Sequence, residues 1–336
     1  MTRYDIVTDN SLHSSCTLQQ RSNLIADLVM GRITPAPIWQ KRNYRLKFFL
    51  RTALFYQPTR EMLDTLSARG DFRQLLAAQA TLPGKVHRQY LVRDLNARQR
   101  SQAIISHYQY VDSLGENRLA TAMISPSERP LLTLSAKDDA AFTLFASSAG
   151  KAEREGETTL WLRDSQQQLL ASATFSVIHH QGEWQLVIGG LQGPRRNVSH
   201  DAIKHATRAC YGLFPKRLLL EFIWLLAGQS NIQAIYAVSD NGHVFRALRY
   251  RLSKGRHFHA SYDEFWQSIE GVRNDSYRWR LPLKLERKSL ESIASKKRAE
   301  YRRRFQLMDD MAVQVANLLR VNKYSSLITK KFRRFK

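Results

Sequence analysis

The chain has 336 residues, 43% of them hydrophobic and 24% charged, and carries a net charge of +23; this is ordinary globular composition, enough for one large domain or two modest ones. Cys16 and Cys210 stand far apart, which excludes a disulfide framework and fits a reducing compartment. The longest strongly apolar run, Leu218 to Ala227, contains Glu221 and falls well short of the ~20 residues that span a bilayer.

Taken in chain order, residues 1–20 are polar, hold acids early and lack an apolar run of signal-peptide length, so they are expected to be flexible and the protein cytoplasmic. Residues 21–115 read as a helical region. Ser22 to Met30 stops at Gly31. Ile38 to Tyr56 follows Pro35 and Pro37 as a basic amphipathic helix, with Tyr44, Phe48 and Phe55 at helical spacing. Thr59 is the expected cap of the next helix, Phe72 to Ala80 ends at Pro83-Gly84, and Ala97 to Tyr110 is again helical.

Residues 116–284 read as a central α+β domain. Short strands are expected at Leu131–Leu134 and Phe142–Phe145, then a meander of Thr158–Leu162, Leu169–Ile178 and Trp184–Ile188, the last closing at Gly189-Gly190. A loop, a helix capped by Ser199, a second helix from Pro215 and a strand at Ile232–Val238 give a parallel crossover. Residues 285–322 form a basic helix with an apolar stripe through Tyr301, Phe305, Met308, Ala312, Val315 and Leu319, and 323–336 is a basic tail. The predicted class is α+β: a helical N-terminal region, a mixed central sheet and a basic C-terminal helix.

The positive charge is segregated. Seven basic residues and no acid lie between Leu28 and Arg60, and eighteen basic residues against five acids lie between Arg278 and Lys336. Two basic surfaces flanking a nearly neutral body imply a polyanionic partner, either anionic lipid or nucleic acid. On the first segment Lys41, Arg42, Arg45, Lys47 and Arg51 are expected to meet lipid headgroups while Trp39, Tyr44, Phe48 and Phe49 insert; the alternative is that this aromatic face packs inward. On the second, Arg302, Arg303 and Arg304 suit lipid or nucleic-acid phosphates, or form a solvated helix face.

Ile188-Gly-Gly-Leu-Gln-Gly-Pro194, Ala206-Thr-Arg-Ala-Cys-Tyr-Gly-Leu-Phe-Pro-Lys216, Val238-Ser-Asp-Asn-Gly-His-Val244 and Tyr262-Asp-Glu-Phe-Trp266 carry a resemblance to the VirK/YbjX family of enterobacterial proteins, extending from about Arg60 to Leu319. The resemblance implies a cytoplasmic or membrane-peripheral accessory protein, tied to envelope integrity, virulence and tolerance of cationic antimicrobial peptides. It supplies no catalytic residue.

The order strand, Gln192-Gly-Pro-Arg-Arg-Asn197, helix, strand also resembles the acetyl-CoA-binding core of GNAT-type acyltransferases, where a loop at a helix N-terminus binds pyrophosphate. Gln192, Gly193, Arg195, Arg196 and Asn197 are then the candidate acyl-CoA contacts. Pro194 removes one donor, and a tight turn with two solvated arginines is the competing reading. A transferase needs a base and an acid, for which His243 and Tyr250 are candidates; otherwise they belong to a turn and the strand after it. The histidine pairs His179-His180, His200/His205 and His257/His259 lack the ligand count of a metal site, so no metal is expected.

Overall fold

A computed structural model describes residues 23–194, 198–246 and 262–320; the predicted flexible N-terminus, 1–20, and basic tail, 323–336, lie outside them. The protein is α+β. Contacts divide the chain into two units, one up to Phe49 and one from Leu50 onward.

In the first unit, helix α1 (Leu24–Met30) is capped by the Asn23 side chain, which accepts from the Ala26 N–H, and ends at Gly31 in the left-handed conformation. A short 3-10 turn (Pro37–Gln40) precedes α2 (Arg42–Leu54), a continuous helix whose last turn, from Leu50, belongs to the second unit, so the expected continuous helix from Ile38 is interrupted at Lys41. Trp39, a candidate lipid contact, is fully buried, with its ring edge-on to Tyr44 at 4.9 Å and Phe48 at 5.0 Å. Arg45 is also turned inward, donating to the Trp39 carbonyl at 3.2 Å.

The second unit continues with α3 (Tyr56–Ser67), α4 (Phe72–Ala78), α5 (Ala97–Ser113) and α6 (Arg118–Met123). Thr59 is no cap: it sits inside α3, fully buried, with its hydroxyl donating to the Phe55 carbonyl at 2.7 Å. A reciprocal capping box between Asn96 and Gln99 starts α5. The strands are β1 (Arg129–Ser135), β2 (Ala141–Ser148), β3 (Thr158–Asp164), β4 (Leu169–His180), β5 (Glu183–Gln192), β6 (Ile232–Val238), β7 (Val272–Arg273) and β8 (Arg278–Leu281). Between β5 and β6 run α7 (His200–Ala209) and α8 (Pro215–Gly228); α9 (Tyr262–Ser268) precedes β7, and α10 (Ser295–Leu319) follows β8.

These strands form one sheet in the order β1-β2-β3-β4-β5-β6-β8-β7. Every pairing is antiparallel except β5 with β6, as the predicted crossover requires. Residues 170–177 of β4 and 185–191 of β5 are buried without interruption, the signature of strands covered on both faces, and α5 and α8 pack on β4. The buried stripe of α10 is Leu307, Met311, Val315 and Leu318, which keeps Val315 of the predicted stripe and replaces Met308, Ala312 and Leu319 by the residue before each. That rotation turns Arg304 inward, where it donates to the Tyr211 carbonyl at 2.7 Å and lies beside Gly212, whose missing side chain leaves room for it. Arg302 and Arg303 stay exposed.

The interior holds an ionic network. Lys85 donates to the Glu157 carboxylate at 2.6 Å and to the Gln79 carbonyl at 2.6 Å, while the second Glu157 oxygen accepts from Gln79 at 2.8 Å and Tyr108 at 2.9 Å. Two buried histidines lie nearby. His107 accepts the Val177 N–H on Nδ1 and faces Thr158 with Nε2; His87 faces the Thr59 hydroxyl with Nε2 at 3.1 Å. Burial foremost, with neighbouring cations, pulls His87 down to about 4 and His107 to about 3 from 6.5. Both fold neutral, so the unfolded chain protonates first and stability is lost as pH falls below 6.5. Between pH 7 and 5.5 each histidine should withdraw about 1 kcal/mol, measured by urea denaturation at the two pH values; an unchanged midpoint would contradict this.

Candidate functional site

Ligands of open sheets collect at the C-terminal ends of parallel strands, where the connections diverge. Here that place is the shared end of β5 and β6. Their pairing runs from Trp184 opposite Ile232 to Ile188 opposite Ala237 and stops. Beyond it β5 continues to Gln192 alongside β4 alone. The strands part, and the Leu191 N–H, which has no β6 carbonyl to reach, donates to the Tyr262 hydroxyl at 3.1 Å.

Gly189 and Gly190 lie inside β5 rather than ending it as expected. Gly189 is the extra residue of a bulge, since Phe175 pairs with Ile188 and Thr174 with Gly190. The reason for both glycines is Glu155: a Cβ on Gly189 would strike its carbonyl, and one on Gly190 its carboxyl group. The missing side chains let the loop before β3 lie flat on the strand.

Glu155 is 2% exposed. Gln192 donates to both of its carboxyl oxygens at 3.2 Å, and His243 Nε2 stands 3.3 Å from Oε1. His243, 1% exposed, is fixed by a tight turn after β6, in which the Gly242 and His243 N–H groups donate to the Ser239 carbonyl. Its Nδ1 accepts from the Phe245 N–H at 3.3 Å, so the proton sits on Nε2, facing Glu155. The imidazole stacks on Tyr262 at 5.7 Å, and Tyr262 stacks on Trp266, whose indole N–H donates to the Val238 carbonyl at the end of β6. Asp240 accepts the Tyr262 N–H at 2.8 Å and so anchors the start of α9. Burial, reinforced by the Glu155 charge, raises the Tyr262 phenol far above its usual range, keeping it neutral.

Lys216, the second residue of α8, runs beside Gly193, with its ammonium 5.8 Å from the Phe265 ring centre. Burial lowers the Lys216 pKa. A buried carboxyl group, an imidazole and a carboxamide, with a lysine beside the adjoining Gly193, can accept a proton and hold an anion.

Of the residues anticipated from sequence, the structure brings His243 and Gln192 together and sets Gly193 next to Lys216. Arg195, Arg196, Asn197 and Tyr250 lie outside the described residues. Glu155, Tyr262 and Lys216 were not anticipated as site residues. Lys41, Arg42 and Lys47 are exposed, and Arg51 is half-buried. No helix among the described residues is long and apolar enough to cross a membrane.

This arrangement defines an α+β protein with a polar site at the parting of its one parallel strand pair among the described residues. The family model for DUF535, described as proteins of unknown function, matches residues 37–317, and the chain belongs to that family. It is similar to the uncharacterized protein YbjX of Escherichia coli (strain K12), at 35% identity over 314 residues covering 94% of each chain. An uncharacterized protein of Haemophilus influenzae is 33% identical over 165 residues, 49% of this chain and 53% of that one. A second from the same organism is 27% identical over 227 residues, 66% of this chain and 71% of that one. No solved structure gives a significant match.

Proposed function

We propose that this chain is an acyl-CoA-dependent transferase that modifies an envelope component from the cytoplasmic face of an anionic membrane. The observation that carries this reading is the buried Glu155–His243–Gln192 cluster at the point where β5 and β6 part. The GNAT resemblance seen in the sequence supplies the donor: a meander feeding a parallel pair, with a phosphate-binding loop between strand and helix. The parting strands suit a pantetheine arm lying against Leu191, in the hydrogen-bonding position now taken by the Tyr262 hydroxyl.

In this reading Glu155 takes the proton of an attacking amine or hydroxyl. His243 and Gln192 orient the carboxyl group. The acyl carbon bonds to the acceptor, the carbon–sulfur bond breaks, and the thiol leaves with one proton. Lys216 meets phosphate together with Arg195, Arg196 and Asn197, and Tyr250 is the proposed acid. The links to virulence and to tolerance of cationic antimicrobial peptides come from the VirK/YbjX resemblance and belong to this proposal, because acylating an envelope component alters how such peptides engage the surface.

Calorimetry with acetyl-CoA and long-chain acyl-CoA tests it. Heat of binding with at least one thioester is the expected outcome, and none with either removes the transferase.

A further inference from the structure

Helix α2 is apolar on two sides. Phe48 and Thr52 are buried on one. On the other, Leu46, Phe49, Leu50 and Leu54 are 56%, 49%, 54% and 78% exposed. At 100° per residue these four fall within one face of the helix, with Ala53 between them and Lys47 along one border. Arg42 lies on the same face at its N-terminal end, and both cations are exposed. Large aliphatic side chains gathered on one exposed face are unusual for a surface helix and mark an interaction site.

We infer that this outward face of α2 is the element that lies in an anionic bilayer, with Leu46, Phe49, Leu50 and Leu54 in the acyl boundary and Arg42 and Lys47 at the headgroups. The inference rests on the membrane-peripheral part of the proposed function and assigns it to residues other than Trp39, Tyr44 and Phe48, whose aromatic cluster packs on itself. Charge complementarity selects the occupant. From Leu28 to Arg60 the sequence holds no acid, so the helix that carries the apolar stripe bears positive charge alone, the pattern of helices that lie in the plane of an anionic interface. A second copy of the chain would bring the same positive charge against itself. A single helix of 13 residues is also a small part of an ordinary protein interface, which uses about 20–30 residues on each side.

The test is flotation of the full-length chain with vesicles of phosphatidylcholine alone and of phosphatidylcholine mixed with phosphatidylglycerol. Wild type should float with the anionic vesicles, and Leu46→Gln/Leu50→Gln/Leu54→Gln should lose at least tenfold in recovery while keeping its melting transition. Arg42→Gln/Lys47→Gln should narrow the difference between anionic and neutral vesicles. Equal recovery of wild type with both vesicle types overturns the inference, as does undiminished flotation of the leucine variant. Sedimentation of the same two proteins decides against it if wild type is a dimer and the leucine variant a monomer. Thioester calorimetry on the leucine variant separates the two proposals: heat without flotation in wild type ends this inference and leaves the transferase standing.

Discussion

Glu155→Gln should lower turnover of an acyl-CoA donor by about 10²–10⁴-fold, the usual contribution of a positioned general base, and leave donor affinity close to unchanged. Glutamine has the shape of glutamate and its carbonyl still accepts from Gln192, so the packing against Gly189 and Gly190 persists. What disappears is the capacity to take a proton. His243 cannot substitute in the described arrangement, because its Nδ1 is held by the Phe245 N–H and its Nε2 carries the proton facing Glu155. Thiol release measured with a chromogenic disulfide, beside calorimetric affinity, separates turnover from binding. Wild-type turnover in Glu155→Gln would dismiss Glu155 as the base. His243 is a positioning residue in this scheme, so His243→Asn should move the pH profile of turnover as well as its height, whereas a purely structural histidine would leave the profile's shape alone.

The second large effect concerns stability. Lys85→Met should cost about 3–5 kcal/mol, as breaking a buried ion pair from one side does. The Lys85 and Glu157 side chains are 4% and 0% exposed, so the carboxylate left behind has no water to turn to. Gln79 and Tyr108 still donate to it but bring no positive charge. Burial and the Glu157 charge together already push the Tyr108 phenol well up. Adding Glu157→Gln to Lys85→Met should recover most of the loss, because the pair is then neutral at similar volume. Urea unfolding of the two variants measures this; a double mutant no more stable than the single would mean that the charge on Glu157 is unimportant.

Much of the scaffold was legible because its signals are local. Ser199 before α7, Pro215 at the start of α8, the existence of β4 and the crossover to a parallel β6 follow from capping chemistry, proline's fixed φ and turn signals between apolar runs. The site was legible only in part. His243 announced itself through its turn, and Gln192 through the loop that follows. Glu155 gave no such sign, since it lies in an irregular stretch before β3 where an acid beside glycine reads as solvated surface. Its one trace was the Gly189-Gly190 pair, which on sequence alone resembles a strand end and in three dimensions accommodates the neighbour. Trp39 went astray because the helix expected from Ile38 is interrupted at Lys41, which takes it out of the spacing of α2; Arg304 went astray through a rotation of its helix. Helical periodicity locates an apolar stripe to within a residue, and an error of one residue rotates a side chain by 100°. In α2, with apolar groups on two sides, periodicity could not tell which side faces outward.

Glu155 and Glu157 are separated by Gly156 alone, whose positive φ and close approach to the Phe175 backbone no larger residue would share comfortably. One acid points to the interior ion pair and its neighbour to the strand-end cluster. Chemistry and mechanical integrity are thereby fastened at a single joint of the backbone. Damage on the Lys85 side would be transmitted as a misplaced Glu155 long before the molecule melted, so variants that only weaken this protein could pass in an assay for variants that disarm it.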